Sequence, residues 1–247
     1  MPKLLSDSDI IYVRSTLVPR ALESVQQALW GLYPLDMRTP GFPPLTITMR
    51  IAAAETLYPN DKACRRLAEL SRAFAQRAAK RWNDTEDMKY VNDKIGKWMP
   101  ANSKVAVDSR PRLSGIMDTI KTSLAHGPAT RLPEEFYDKK LGNIINRIVI
   151  DEWFQGFSVL REYRMLGVGS LAGDILSRMI DSVEGNQTVD NAAGGGDLYA
   201  SQSHSEEKHF KFALLGCHDT TIGGMLASLG CLDGDKWPPF TSCCICG

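Results

Sequence analysis

Two segments with the same strand–turn–helix pattern lie at opposite ends of this sequence, and they constrain the fold more than any other feature. The first is predicted as a strand over residues 9–16 and a helix over 18–32, where Pro19 suits the first helical turn. The second is predicted as a strand over 210–215 and a helix over 220–229. Because strand–turn–helix units assemble into sheets covered by helices, the pattern predicts an α/β domain.

The chain between these segments is mainly helical by periodicity. We predict helices over residues 62–81, 113–124, 141–148 and 171–183, a short strand at Leu45–Met49, and a polar Gly/Ser-rich loop at about 184–208. The predicted organisation is therefore a discontinuous α/β domain over residues 1–55 and 205–247. A mainly α-helical insertion over residues 56–204 interrupts it.

The charge balance excludes some classes of partner. The 247 residues carry 29 Lys+Arg and 29 Asp+Glu, so the formal net charge is zero. A neutral chain is not built to coat nucleic acid or an anionic membrane, and no nucleic-acid partner is expected. The sequence contains no apolar run of about 18 residues, so no transmembrane helix is predicted. The first residues contain no apolar core of signal-peptide length. The compartment stays unknown at this point.

The sequence does not predict a metal site or a cofactor. Cys243, Cys244 and Cys246 crowd the last residues without a nearby His, and His204 and His209 are spaced differently from helical ligand pairs. Gly167 and Gly169 lack the third glycine of a dinucleotide-binding pattern, and no suitable strand is predicted before them. We therefore expect no metal and no cofactor, and no role is predicted for the cysteine-rich tail.

Three side chains stand where ligands gather in α/β sheets, at the carboxyl ends of the strands. Arg14 lies near the carboxyl end of the first predicted strand, and His218 and Asp219 follow the last one. If the two strands are neighbours, these groups converge on a pocket suited to an anion such as phosphate. The alternative is that Arg14 forms a surface ion pair and that Asp219 only caps a helix.

Around these residues the sequence resembles a known family. Tyr12–Thr16, Arg20–Ser24 and Cys217–Thr221 resemble the histidine acid phosphatases, branch 2 of the histidine phosphatase superfamily. Leu57–Asn60 and Lys236–Phe240 are similar to the lysophosphatidic acid phosphatase-type members in particular. The resemblance implies a phosphoglycerate mutase-like α/β sandwich with an α-helical insertion domain.

The resemblance also implies roles for the three side chains. Arg14 matches the arginine that holds the phosphoryl oxygens, and His218 matches the second histidine, which hydrogen-bonds the transferring group. Asp219 matches the proton donor to the leaving alcohol. These roles are chemically reasonable, because developing charge needs fixed cationic donors and an alkoxide leaves more readily when it is protonated.

One part of the family pattern has no counterpart in the sequence. The family's nucleophilic histidine belongs to an Arg-His-Gly motif upstream of the Arg-Ser-Thr element, whereas the first histidine here is His126, at a predicted helix end. We therefore expect a fragment of a family member, with no nucleophile in this chain, an incomplete sheet and impaired turnover.

Two functions from different classes follow. The first is a phosphomonoester hydrolase of the acid phosphatase type, acting on a small phosphate monoester, with a lysophospholipid phosphate as one candidate. The alternative is a non-catalytic phosphate- or anion-binding protein. A third, weaker interpretation takes the basic helix over residues 62–81 as a surface for a membrane or an acidic partner; the default is a solvated helix face.

Overall fold

A computed structural model describes residues 11–38, 41, 44–184, 210–232, 234 and 236–245. The predicted Gly/Ser-rich loop, His204, His209 and Cys246 lie outside the described residues. Within these ranges the structure contains two β-strands and seven α-helices: β1 (Ile11–Ser15), α1 (Pro19–Leu32), α2 (Arg65–Trp82), α3 (Glu86–Ile95), α4 (Leu113–His126), α5 (Lys139–Val159), α6 (Arg161–Glu184), β2 (Phe212–Gly216) and α7 (Asp219–Ser228). The predicted mixed α/β architecture is confirmed.

The chain divides into two compact units. The first is formed by the described parts of Met1–Cys64, Met165–Ile222 and Cys243–Gly247, and the second by those of Arg65–Arg164 and Gly223–Ser242. These units do not coincide with the predicted domain limits, since residues 165–184 fall in the first unit and part of the C-terminal segment in the second. The predicted insertion over residues 56–204 stays a prediction.

The sheet of the first unit is built by the two ends of the chain. β1 and β2 pair in parallel, with Ile11 opposite Phe212 and Ser15 opposite Gly216. Helix α1 packs on this sheet, and its Val25 and Leu29 join Ile11 and Val13 in a buried apolar cluster. Parallel pairing brings the carboxyl ends of both strands to the same edge.

The predicted strand at Leu45–Met49 is not a full strand. It makes a single parallel bridge, in which the Ser15 amide donates to the Thr48 carbonyl at 3.0 Å and the Thr48 amide to the Val13 carbonyl at 2.8 Å. Pro44, just upstream, has no N–H to extend the ladder. Leu45 and Ile47 nevertheless pack against the apolar cluster, so the segment contributes to the core without being a strand.

The second unit is organised around α5, which contacts α2, α3 and α4. The Asp138 carboxylate accepts the Leu141 amide and caps α5, whose buried positions extend from Leu141 to Phe157. The prediction of a helix over residues 141–148 is therefore correct in place but too short.

Two helices differ from the prediction. Helix α3 was not predicted, although Thr85 caps it by accepting the Met88 amide and two acidic residues occupy its first turn. Helix α6 begins at Arg161, ten positions before the predicted start at Leu171. The prediction began too late because glycines interrupt the apolar periodicity of the first part of this helix. Gly167 and Gly169 lie within this helix.

Candidate functional site

The predicted site residues lie at one edge of the β1–β2 sheet. Arg14 and Ser15 end β1, and Cys217 and His218 follow β2 directly. The Thr16 amide donates to the Gly216 carbonyl at 3.2 Å, and the Thr16 Oγ1 lies 3.2 Å from the His218 Nε2. The turn after β1 therefore contacts the turn after β2 through both backbone and side chains.

Arg14 is a buried ion-pair residue, with only 2 % of its surface exposed. Its Nη2 donates to Glu55 Oε1 at 2.5 Å and to Thr56 Oγ1 at 2.9 Å, and its Nη1 donates to Asp174 Oδ2 at 3.1 Å. The alternative of a surface ion pair is wrong in its location, because the guanidinium lies inside the first unit. Both of its terminal nitrogens contact a carboxylate.

Glu55 is fixed by backbone as well as by Arg14. Its Oε1 accepts the amides of Thr56 at 2.8 Å and Leu57 at 2.7 Å, and the Leu57 carbonyl accepts the Thr221 hydroxyl at 2.6 Å. Glu55 Oε2 and Arg14 Nε are buried and have no hydrogen-bond partner among the residues that the structure covers. A carboxylate with this many fixed donors holds the orientation of Arg14.

His218 is partly buried beside the same loop, and its ring forms a T-shaped contact with Tyr58 at a centroid distance of 6.1 Å. Burial lowers the pKa of His218 from its ordinary value of 6.5, and the positive charge of Arg20 lowers it further. The charges of Asp219 and Glu55 oppose that shift. The imidazole is therefore neutral at pH 7, and a bound anion would favour its protonation.

Asp219 is the first residue of α7, and its Oδ1 accepts the Thr220 amide at 2.8 Å. Asp219 therefore lies at the helix end where the sequence predicts it. Its role as a proton donor stays a prediction. Neighbouring Cys217 is not an activated nucleophile, because burial raises the pKa of its thiol to about 11.

The prediction missed Glu55, Thr56 and Asp174 as partners of Arg14. They come from an Ala-rich run and from α6, with no local pattern that marks them. The remaining histidine with a described position, His126, is exposed at the C-terminal end of α4.

Within the described ranges, no three His, Cys, Asp or Glu side chains lie close enough together to hold a metal ion. None of the helices in the same ranges is both long and apolar enough to span a bilayer.

The sequence as a whole matches one protein family, the histidine phosphatase superfamily (branch 2), over residues 2–245. This chain belongs to that superfamily. A Schizosaccharomyces pombe protein named as a probable acid phosphatase is 34% identical over 242 residues, which cover 98% of this chain and 47% of the relative.

Other superfamily relatives carry a more specific name. The lysophosphatidic acid phosphatase type 6 proteins of Pongo abelii and Homo sapiens are 27% and 26% identical, each over 93% of this chain and 46% of the relative. The chain thus spans about half the length of the curated relatives that it matches. The predicted α/β histidine phosphatase fold class is confirmed by the superfamily match together with the mixed α/β structure.

Proposed function

We propose that this chain is an acid phosphatase-type hydrolase of phosphate monoesters whose turnover is impaired. In this proposal Arg14 and His218 bind the phosphoryl group and Asp219 protonates the leaving alcohol. The observation that carries the proposal is the parallel pairing of β1 with β2, which places the ends of both strands at one edge with Thr16 3.2 Å from His218. Membership of a phosphatase superfamily supports the same chemistry.

The electrostatics of the site are consistent with anion binding linked to proton uptake. His218 has a lowered pKa in the absence of an anion, so a phosphate dianion that reaches it favours the imidazolium form. Binding of a phosphate dianion should therefore be accompanied by proton uptake at His218 as the pH falls toward 6.5, the ordinary pKa of this side chain. This gain ends where the phosphate itself takes up a proton, at a pH of about 6 for a phosphate monoester.

Catalysis through phosphohistidine needs a nucleophilic histidine, and the 247 residues contain no Arg-His-Gly sequence. We therefore propose that these residues by themselves turn over phosphate esters slowly or not at all. The same observation favours a second candidate function, in which the Arg14/His218 region binds phosphate without hydrolysing it.

A lysophospholipid phosphate is the more specific substrate proposal. It is supported by the names of the mammalian relatives, which are similar over 93% of this chain. Hydrolysis of lysophosphatidic acid, set against that of p-nitrophenyl phosphate, tests this part separately.

The test combines calorimetric titration of inorganic phosphate at pH 5.5 and 7.5 with release of p-nitrophenol from p-nitrophenyl phosphate. We expect binding to weaken by roughly tenfold in His218→Ala at both pH values, since a hydrogen bond to a charged group is lost. His126→Ala, an exposed histidine on α4, is the matched control and should bind like the parent chain.

The outcomes separate the candidate functions. Slow turnover that His218→Ala abolishes supports the hydrolase, whereas rapid turnover by the parent chain would contradict the expected impairment. Phosphate binding without turnover favours the non-catalytic function. If the parent chain binds no phosphate at either pH, both candidates are wrong.

A further inference from the structure

The carboxylate of Asp174 lies among three donors of the first unit. Arg14 Nη1 is 3.1 Å from Asp174 Oδ2, Arg50 Nη1 is 3.5 Å from the same oxygen, and the Thr56 hydroxyl donates to it at 3.3 Å. The Thr56 oxygen in turn accepts from Arg14 at 2.9 Å and from Arg50 at 3.4 Å. One carboxylate oxygen thus occupies a position toward which two guanidinium groups and a hydroxyl point.

The two carboxylates on Arg14 differ in how firmly they are held. Glu55 is 2 % exposed and accepts two backbone amides in addition to Arg14, so it cannot leave without exposing buried donors. Asp174 is 33 % exposed, and among the described residues its hydrogen-bond and ion-pair partners are side chains. Asp174 is therefore the partner that can rotate toward solvent.

The charge balance of the cluster favours an anion in place of Asp174. Arg14 and Arg50 supply two positive charges, and Glu55 neutralises one of them. When the Asp174 carboxylate turns away, one positive charge and three donors remain, with Arg50 still 28 % exposed. Phosphoryl oxygens match such an arrangement, because guanidinium groups bind them through charge-assisted hydrogen bonds.

We propose that the Asp174 carboxylate occupies a phosphoryl-oxygen position of the site, that Arg50 is a second phosphate-binding cation, and that Asp174 competes with the substrate for Arg14. The proposal rests on the phosphate-binding function proposed above, which it deepens. Arg50 and Asp174 act here on binding, whereas the proton donor remains Asp219. No bond is made or broken in this exchange of one anion for another.

The experiment measures inorganic phosphate binding by calorimetry at pH 5.5 in the parent chain, Asp174→Asn and Asp174→Ala. Removal of the competing charge should tighten binding by about tenfold in both variants, the size expected when one charge-assisted contact no longer has to be displaced. Alanine excludes the objection that the asparagine amide itself donates to phosphate. Asp181→Asn, which removes the same charge from the same helix, should change binding little.

The role of Arg50 is tested in the Asp174→Asn variant. Arg50→Gln added to Asp174→Asn should cancel most of the gain, whereas Arg38→Gln should not. Thermal unfolding of each variant checks that it is folded, and Asp174→Ala decides if the two Asp174 substitutions disagree.

Failure of this inference differs from failure of the proposed function. If phosphate binding depends on His218 but is unchanged or weaker in both Asp174 variants, the inference is wrong and the function stands. If the parent chain binds no phosphate, the proposed function is wrong, and Arg50-dependent binding by the Asp174 variants would still support the competition. If none of these proteins binds phosphate, both proposals are wrong.

Discussion

Each unit of the molecule contains a buried carboxylate that faces an arginine, and the two pairs are held differently. In the first unit, Arg14 and Glu55 are both 2 % exposed, and backbone amides share the charge of the carboxylate. In the second unit, Glu152 is 3 % exposed while its partner Arg112 is 49 % exposed. A buried cation with several partners is a fixed structural element, whereas a half-exposed cation only partly compensates a buried carboxylate.

The half-exposed position of Arg112 affects the protonation of Glu152. Burial raises the pKa of Glu152 above its ordinary value of 4.5, and the charge of Arg112 offsets only part of that shift. Glu152 Oε2 is buried without a hydrogen-bond partner in the part of the chain that the structure describes. Glu152 can therefore take up a proton if Arg112 is removed. This protonation limits the loss in the free energy of unfolding when the pair is broken.

The largest expected effect comes from removing the arginine of each pair. Arg14→Met should lower the free energy of unfolding by about 3–5 kcal/mol, because Glu55 then remains buried without its cation. Arg112→Met should cost only about 1–2 kcal/mol, because Glu152 can take up a proton. Urea unfolding at pH 7 checks both values, and equal losses in the two variants would contradict the comparison.

A smaller effect is expected where each unit packs tightly against a glycine. A Cβ at Gly216 would lie 2.1 Å from Val25 Cγ2, and one at Gly223 would lie 2.1 Å from Phe154 Cζ. Gly216→Ala and Gly223→Ala should each destabilise the protein by roughly 1–3 kcal/mol through overpacking.

Two helical glycines serve as matched controls for those substitutions. Apart from the adjacent residues and the backbone of the same helix, no atom of the described residues lies within 4 Å of a Cβ placed at Gly173 in α6 or at Gly142 in α5. Alanine at these positions should raise the free energy of unfolding by about 0.5–1 kcal/mol, since only backbone entropy changes. Destabilisation of the controls as large as that at Gly216 or Gly223 would show that packing is not the cause.

The smallest expected effect is an opposite response of the two units to acid. The folded-state pKa of His218 is lowered, so the unfolded chain binds its proton first and stability falls as the pH drops below 6.5. The folded-state pKa of Glu152 is raised, so its unfavourable contribution is absent below 4.5 and grows as the pH rises above that value.

Substitutions separate these two contributions. Relative to the parent chain, His218→Ala should gain stability as the pH falls below 6.5, and Glu152→Gln should gain stability as the pH rises above 4.5. Neither slope can exceed about 1.4 kcal/mol per pH unit, the limit for one proton. Unfolding curves from pH 4 to 8 test the signs, and a common sign for both variants would be inconsistent with the opposite shifts.

The elements could be predicted from sequence where local chemistry is strong. Pro19 begins α1, and Gly127 and Gly230, both with positive φ, follow α4 and α7 near the predicted ends. Helix α3 was missed although its cap Thr85 and buried Met88 follow a recognisable pattern, because charged residues dominate the segment. The full length of α6 could not be predicted, since tertiary packing stabilises a glycine-rich helix against its intrinsic propensity.

The candidate site was predicted only in part. The end of the first strand and the turn after the last one were identified because strand–turn–helix patterns are local. The roles of Arg14, His218 and Asp219 remain proposals, and the partners of Arg14 were not foreseen.

The sequence by itself determined the two strand–turn–helix segments and the residues that stand at their strand ends, because periodicity, proline and glycine act over a few neighbouring positions. Only the tertiary structure decided which groups surround Arg14. Glu55 lies 41 positions away in the chain and Asp174 lies 160 positions away. Contacts over such separations depend on how the chain packs, and a guanidinium that is buried must take its partners from whatever the packed chain brings within hydrogen-bond distance.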